Sequence, residues 1–332
     1  MDAWSSLRLL ETEPAARAFL YKHYHSKGIS QAERLAFQQS TRFLYTWKQA
    51  RLFYESAAKT PLSIKPLLLF YGCIHLLKGW LIVIDPDYPQ NSKVLQHGVT
   101  TRKVKKNGYQ FLRDEVRPQK EGLFSHLAHL LSVSPLQDRY RIQELMSYLA
   151  DMHGPLQAAI GHISPWVPVD WKSETDAKTN AIFCRLHFPA ASKGPLAYSP
   201  ETFQQYVKRF DYDQDMLASV QWSSDGSKTM VVPFSSFSSL DEHPLFCLRE
   251  RSLFFWNGDN DSLPLPEWAN HYLLLYVLSM LSRYDTEWWG ELTLSHSYAE
   301  QFLIDFFLEH HANVFPTVIM RHMQKNNTPA VK

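Results

Sequence analysis

Residues 67–84 read LLLFYGCIHLLKGWLIVI, an apolar run 18 residues long that decides how the rest of the chain must be arranged. Its length suits a membrane span, yet His75 and Lys78 stand near its middle. A mid-span lysine costs roughly 2.5–3.5 kcal/mol on insertion scales, so the run reads instead as a helix buried in a protein core. Pro66 opens it, since a first-turn proline lacks only an N–H that has no helical partner there. Asp85-Pro86-Asp87-Tyr88-Pro89 closes it. A helix apolar on nearly every face needs neighbours on every face.

Those neighbours are sought on both sides. Upstream, Thr12-Glu13-Pro14 starts a helix running to about His25. Residues 31–58 then carry Leu35, Phe43, Leu44, Trp47, Leu52 and Phe53 on an amphipathic pattern that Thr60-Pro61 stops. Downstream, residues 86–122 are irregular and read as a basic loop or short hairpin, followed by helices over 123–131 and 139–150, separated by Ser134-Pro135. Near Pro165 the chain turns rich in Ser, Pro and β-formers. The clearest hairpin there joins Val220-Gln221-Trp222 to Thr229-Met230-Val231-Val232 through a turn at 223–227, and 245–256 is expected to pair onto it. Helices resume over 268–283 and 298–311.

The order helices, strands, helices predicts a mainly α, α+β protein. Its bundle is formed by N- and C-terminal helices, with a small antiparallel β subdomain inserted between them. The expected divisions are 1–165, 166–264 and 265–332. The second apolar run, YLLLYVLSML at 272–281, is too short to cross a membrane and must be covered by the first bundle.

The 332 residues carry 34 Lys+Arg against 33 Asp+Glu, with 45% apolar residues and only 12 Gly. A net charge of +1 excludes general coating of nucleic acid, and the aromatic content excludes disorder. Neither G-x-G-x-x-G nor G-x-x-x-x-G-K-[ST] occurs, which disfavours the common nucleotide folds. Cys73, Cys184 and Cys247 show no C-x-x-C spacing, and the first residues show no secretory pattern, so a cytoplasmic protein is expected. His310-His311 and other close histidine pairs lack a third ligand at a characteristic spacing, so neither a metal nor a cofactor is expected.

Chemistry concentrates in a few places. On the first apolar helix Tyr71, His75, Lys78 and Asp85 fall at spacings of four, three and seven, on one stripe. An imidazole and an ammonium group in so apolar a helix need partners, solvent or a ligand. One reading is an anion pocket, over which His97-Gly98 and Arg102-Lys103 fold. The other is an exposed helix edge with a snorkelling lysine. A second stripe, Tyr272, Tyr276, Ser279 and Arg283, ends beside Asp285 and Glu287, which are ordinary partners for that arginine. Between Arg102 and Lys120, seven basic residues face only Asp114 and Glu115, with Tyr109 and Phe111 placed to stack on bases.

The segments PLLLFYGCIHLLKGWLIV, QHGVTTRK and HYLLLYVLSMLSRYDTEWW together resemble the YaaC-like family. The resemblance covers most of the chain and implies a bacterial cytoplasmic protein; it carries no catalytic residues over. The helical part is also similar to HEPN-like bundles, whose ribonucleases use Arg and His a few residues apart, and Arg17 and His23 have that spacing. The leading expectation is a non-enzymatic binding or regulatory protein. It would recognise a phosphate-bearing small molecule, RNA or a protein partner, including a second copy, through Tyr71, His75, Lys78, His97, Arg102, Lys103 and Arg283. A HEPN-type endoribonuclease and a purely structural interaction module are the alternatives.

Overall fold

A computed structural model describes residues 3–103, 109–133, 136–211, 220–222, 228–250, 252–258, 263–294 and 299–325. The 223–227 turn, Ser134-Pro135, Lys105 and Lys106 lie outside these residues. In chain order the elements are α1 (Ala3–Arg8), α2 (Glu13–Ser26), α3 (Ala32–Ala58), α4 (Lys65–Ile84), β1 (Val99–Arg102), β2 (Glu115–Pro118), α5 (Leu123–Leu130), β3 (Tyr140–Arg141) and α6 (Ile142–Ser147). There follow α7 (His153–Ile160), β4 (Trp166–Thr175), β5 (Ile182–His187), α8 (Pro200–Arg209), β6 (Gln221–Trp222), β7 (Thr229–Pro233), α9 (Phe234–Phe237), β8 (Phe246–Arg249) and β9 (Ser252–Trp256). The chain closes with α10 (Glu267–Tyr284), α11 (Thr286–Leu294) and α12 (Ala299–Lys325). This is a mainly α, α+β architecture.

Two compact units result: Met1–Met146 with Glu267–Lys332, and Ser147–Pro266. In the first, α4 is the central helix, packed on α3, α10, α12 and α2. It is the one described helix long and apolar enough to cross a membrane, and here its apolar surface is buried against those helices. Glycine makes the closest approach possible. A Cβ on Gly72 would sit 2.6 Å from the Tyr54 ring, and one on Gly79 would sit 3.0 Å from Trp47, both rings belonging to α3. α10 is covered along its middle, with residues 271–279 all buried. Each fully buried leucine there contributes roughly 1.5–3 kcal/mol of transfer free energy. A small sheet in the order β1-β2-β3 lies in the same unit.

The second unit holds an antiparallel sheet in the order β6-β7-β5-β4-β9-β8. Here the expected pairing of 245–256 onto the β6–β7 strands is overturned. β7 pairs with β5 (Cys184 opposite Val232), and β9 pairs with β4 (Trp166 opposite Trp256). The reason is the length of β4, which pairs over 166–169 with β9 and over 170–175 with β5. One long strand thus joins two hairpins that neither hairpin's sequence links. Phe203, Leu186, Val232 and Phe255 are fully buried at the centre of this unit.

Candidate functional site

The stripe on α4 forms as its spacing requires. The Phe53 ring of α3 stacks on Tyr71 (5.7 Å, 23°) and on His75 (5.6 Å, 20°), so one phenyl ring covers both polar side chains from the side. Lys78 continues the stripe and is partly buried. Asp85 leaves the group: its carboxylate accepts from Gln90 and lies 3.2 Å from His126 Nε2.

His97 is brought to this helix by backbone chemistry. Its carbonyl accepts from the Tyr272 hydroxyl at 2.8 Å and from the Phe124 amide at 3.3 Å, while Leu123 N donates to Gln96 O at 2.7 Å. The first free amides of α5 are therefore satisfied by the loop that carries the histidine. The crossing is tight because Gly98 (φ 75°) meets Gly122 (φ 125°), and a Cβ on Gly122 would collide with the Gly98 Cα. Only glycine serves at both positions. The His97 ring then rests against Phe70 at 5.1 Å and Tyr276 at 5.7 Å.

The electrostatics of the group are one-sided. Burial, then the neighbouring Lys78 charge, pushes His75 down to about 4. Burial also lowers Lys78. His97 is lowered by burial and then by two charges, Arg283 and Lys78, both positive. Tyr276 is raised by burial, with Arg283 opposing. His75 Nδ1 is buried with no hydrogen-bond partner. Arg283 donates from Nε to Ser279 O at 3.0 Å and lies over the Tyr284 ring at 5.1 Å. Among the described residues no carboxylate pairs with Lys78, His75, His97 or Arg283. Four basic groups from α4, α10 and the 96–98 loop therefore converge without a counter-charge.

A model of the family described as YaaC-like Protein matches residues 8–323. The chain belongs to the YaaC-like family. No curated protein and no solved structure matches it. The matched range of this YaaC-like chain takes in the stripe of α4, the His97-Gly98 turn and the end of α10, the three places that supply the basic group.

Other expected residues of the YaaC-like chain fall elsewhere. Lys103 forms an ion pair with Asp285 and lies 5.0 Å over the Trp288 ring. This overturns the expected pairing of Arg283 with Asp285 or Glu287: the strand that ends at Arg102 delivers Lys103 to Asp285 first. Arg102 itself is exposed, opposite Glu115 in the β1–β2 register. Glu115 takes Arg117 at 3.2 Å and Arg139 at 3.4 Å, so part of the basic run is neutralised locally. Neither aromatic of that run is available to a base. Phe111 is fully buried, and Tyr109 stacks on Trp288 at 4.7 Å while donating to Asp114 at 2.6 Å. His23 is fully buried, with Nδ1 2.9 Å from Phe19 O and Nε2 2.7 Å from Met323 O. Arg17 reaches back towards Glu13. A histidine held by two carbonyls has no nitrogen left to protonate a scissile phosphate. Phe53, read from the sequence as one more apolar position of α3, is the residue missed at the site; nothing in its spacing marks it as the cover of His75.

Proposed function

We propose that the protein is a non-enzymatic binding protein that recognises a phosphate-bearing small molecule through Tyr71, His75, Lys78, His97 and Arg283. The observation that carries this reading is the convergence of two partly buried cations, Lys78 and Arg283, with the two imidazoles of His75 and His97, and with no carboxylate paired to any of them among the described residues. Buried or half-buried charges are ordinarily paired, because desolvation without a partner is costly. An anion with several acceptor oxygens supplies the missing partner: Lys78 and Arg283 give charge-assisted hydrogen bonds, and the two imidazoles and Tyr71 give directional ones. The burial of Phe111 and the stacking of Tyr109 on Trp288 favour a compact phosphate over a base-stacked RNA. The three cysteines are free and buried, which supports a reducing, cytoplasmic setting.

Ligand-induced thermal stabilisation is the direct test, with pyrophosphate, ATP and a short RNA as probes. The expected result is an upward shift with pyrophosphate or ATP that disappears in Lys78→Ala and in Arg283→Ala, both retaining wild-type circular dichroism. No shift with any probe, or a shift that persists in Lys78→Ala, refutes the reading.

A further inference from the structure

α10 and α12 build a second polar cluster within the first unit, separate from the basic face. Glu267 and His271 stand one turn apart on α10, and His310 faces them from α12; one ligand atom from each lies within 4.8 Å of the others. His271 is fully buried, and its Nε2 has no hydrogen-bond partner. Glu267 Oε1 is the carboxylate oxygen nearest to it, at 3.7 Å, beyond hydrogen-bond length. A buried nitrogen left this way costs about 1–3 kcal/mol. The His271 and His310 rings lie 5.6 Å apart with their planes 21° from parallel.

We propose that Glu267, His271 and His310 bind a divalent transition-metal ion of the zinc class. Two imidazoles and one carboxylate are a ligand set that zinc takes with a fourth position left for water or a substrate oxygen. Metal–ligand bonds of about 2.0–2.1 Å place tetrahedral ligand atoms about 3.3 Å apart, so the three atoms close by up to about 1.5 Å, a movement within reach of side-chain torsions.

The surroundings of His271 accommodate the tautomer that ligation needs. His271 Nδ1 lies 3.1 Å from His311 Nδ1, and His311 Nε2 lies 2.7 Å from the Tyr54 hydroxyl. For His271 to present a lone pair from Nε2, its proton sits on Nδ1 and is donated to His311 Nδ1. His311 then carries its own proton on Nε2 and donates it to the Tyr54 oxygen. In this assignment both imidazoles are satisfied, which is the outer-shell support that metal-bound histidines generally have. The reverse assignment, with Tyr54 donating to His311, leaves the His271 proton on Nε2, and zinc binding selects the first. His310-His311 is thus a ligand beside its neighbour's orienting partner. The remaining ligands come from the Glu-x-x-x-His step about forty residues upstream.

The test uses the full chain, free of affinity tag and stripped with EDTA. Titration with zinc chloride is expected to load one ion per chain by native mass spectrometry and to raise the melting temperature. Glu267→Gln and His310→Gln each weaken zinc binding by more than about tenfold while circular dichroism stays wild-type; Tyr54→Phe, which only loosens the end of the chain of imidazoles, weakens it less. Cobalt chloride gives a reading independent of any variant, since ligation by these residues produces an intense tetrahedral ligand-field band. Sub-stoichiometric zinc in the wild type, unchanged binding in both ligand variants, or a weak octahedral cobalt spectrum overturns the proposal. Each of these outcomes is distinct from the phosphate-binding test.

Discussion

Replacing His75 by glutamine isolates one electrostatic cost of the basic face. In the folded protein His75 is lowered to about 4 by burial and by Lys78, against an ordinary value of 6.5. As pH falls below 6.5 the unfolded chain takes up a proton at this position and the folded chain does not. Stability that is fully present above about pH 6.5 is therefore lost progressively as pH falls towards 4. The full shift corresponds to about 3 kcal/mol at 1.36 kcal/mol per pH unit, and solvent screening at a partly open face brings the expectation to about 2 kcal/mol. Glutamine keeps the size and a donor but does not titrate. Urea unfolding of both proteins at intervals between pH 7 and pH 4 gives the difference directly. Wild type loses about 2 kcal/mol relative to His75→Gln over that window. Pyrophosphate reverses the trend: the anion favours the protonated imidazole, so its affinity for the wild type rises as pH falls from 7 to 6, and less so for the variant. A stability difference that stays flat from pH 7 to pH 4 refutes the placing of a neutral His75 beside the Lys78 charge in a partly buried face.

Lys103→Ala frees Asp285 to pair with Arg283 and is expected to weaken pyrophosphate binding about three- to tenfold in calorimetry. Its effect on stability stays within about 1–2 kcal/mol, because Arg283 replaces Lys103 as the partner of the largely buried Asp285 carboxylate. Tyr272→Phe removes the hydroxyl that donates to His97 O at 2.8 Å and costs about 1 kcal/mol in chemical denaturation, with the Phe124 amide still bonded to that carbonyl. Gly72→Ala places a methyl group 2.6 Å from the Tyr54 ring. The expected loss is about 1–2 kcal/mol in urea unfolding, overpacking outweighing the helix propensity gained by alanine.

How much of this was legible in the sequence depended on whether one segment or several had to be consulted. The α4 run and the 272–281 run announce buried helices by composition alone, and helical spacing alone puts Tyr71, His75 and Lys78 on one stripe. The sheet order needed more. That β4 serves two hairpins follows from its ten-residue length combined with partners at 182–187 and 252–256, and local turn chemistry says nothing about such distant pairing. Arg283 shows the same limit with charges. Its neighbours in sequence, Asp285 and Glu287, were the natural partners, yet Lys103 arrives from far upstream and takes Asp285. Glu267, His271 and His310 share this origin: a four-residue step on one helix becomes a three-ligand cluster only when α12 packs beside α10.

The basic face differs in one physical respect from the phosphate sites that glycine-rich loops make. Those sites aim backbone amides and the positive end of a helix at the anion. Here the first amides of α5 are already bonded to Gln96 and His97 carbonyls, and Arg283 stands in the last turn of α10, where the helix end is negative. Recognition must therefore rest on side chains. Backbone amides survive any single substitution other than proline, whereas a face built from Lys78, Arg283 and two imidazoles loses a large share of its attraction with each one removed. Charge held on side chains at a partly open surface is also screened within about 10 Å at 0.1 M salt. Pyrophosphate affinity should accordingly fall steeply with added sodium chloride in the wild type and more gently in Lys78→Ala. A salt dependence that is identical in the two proteins would place the anion elsewhere, because removing a cation that contacts the ligand must also remove its share of the screening.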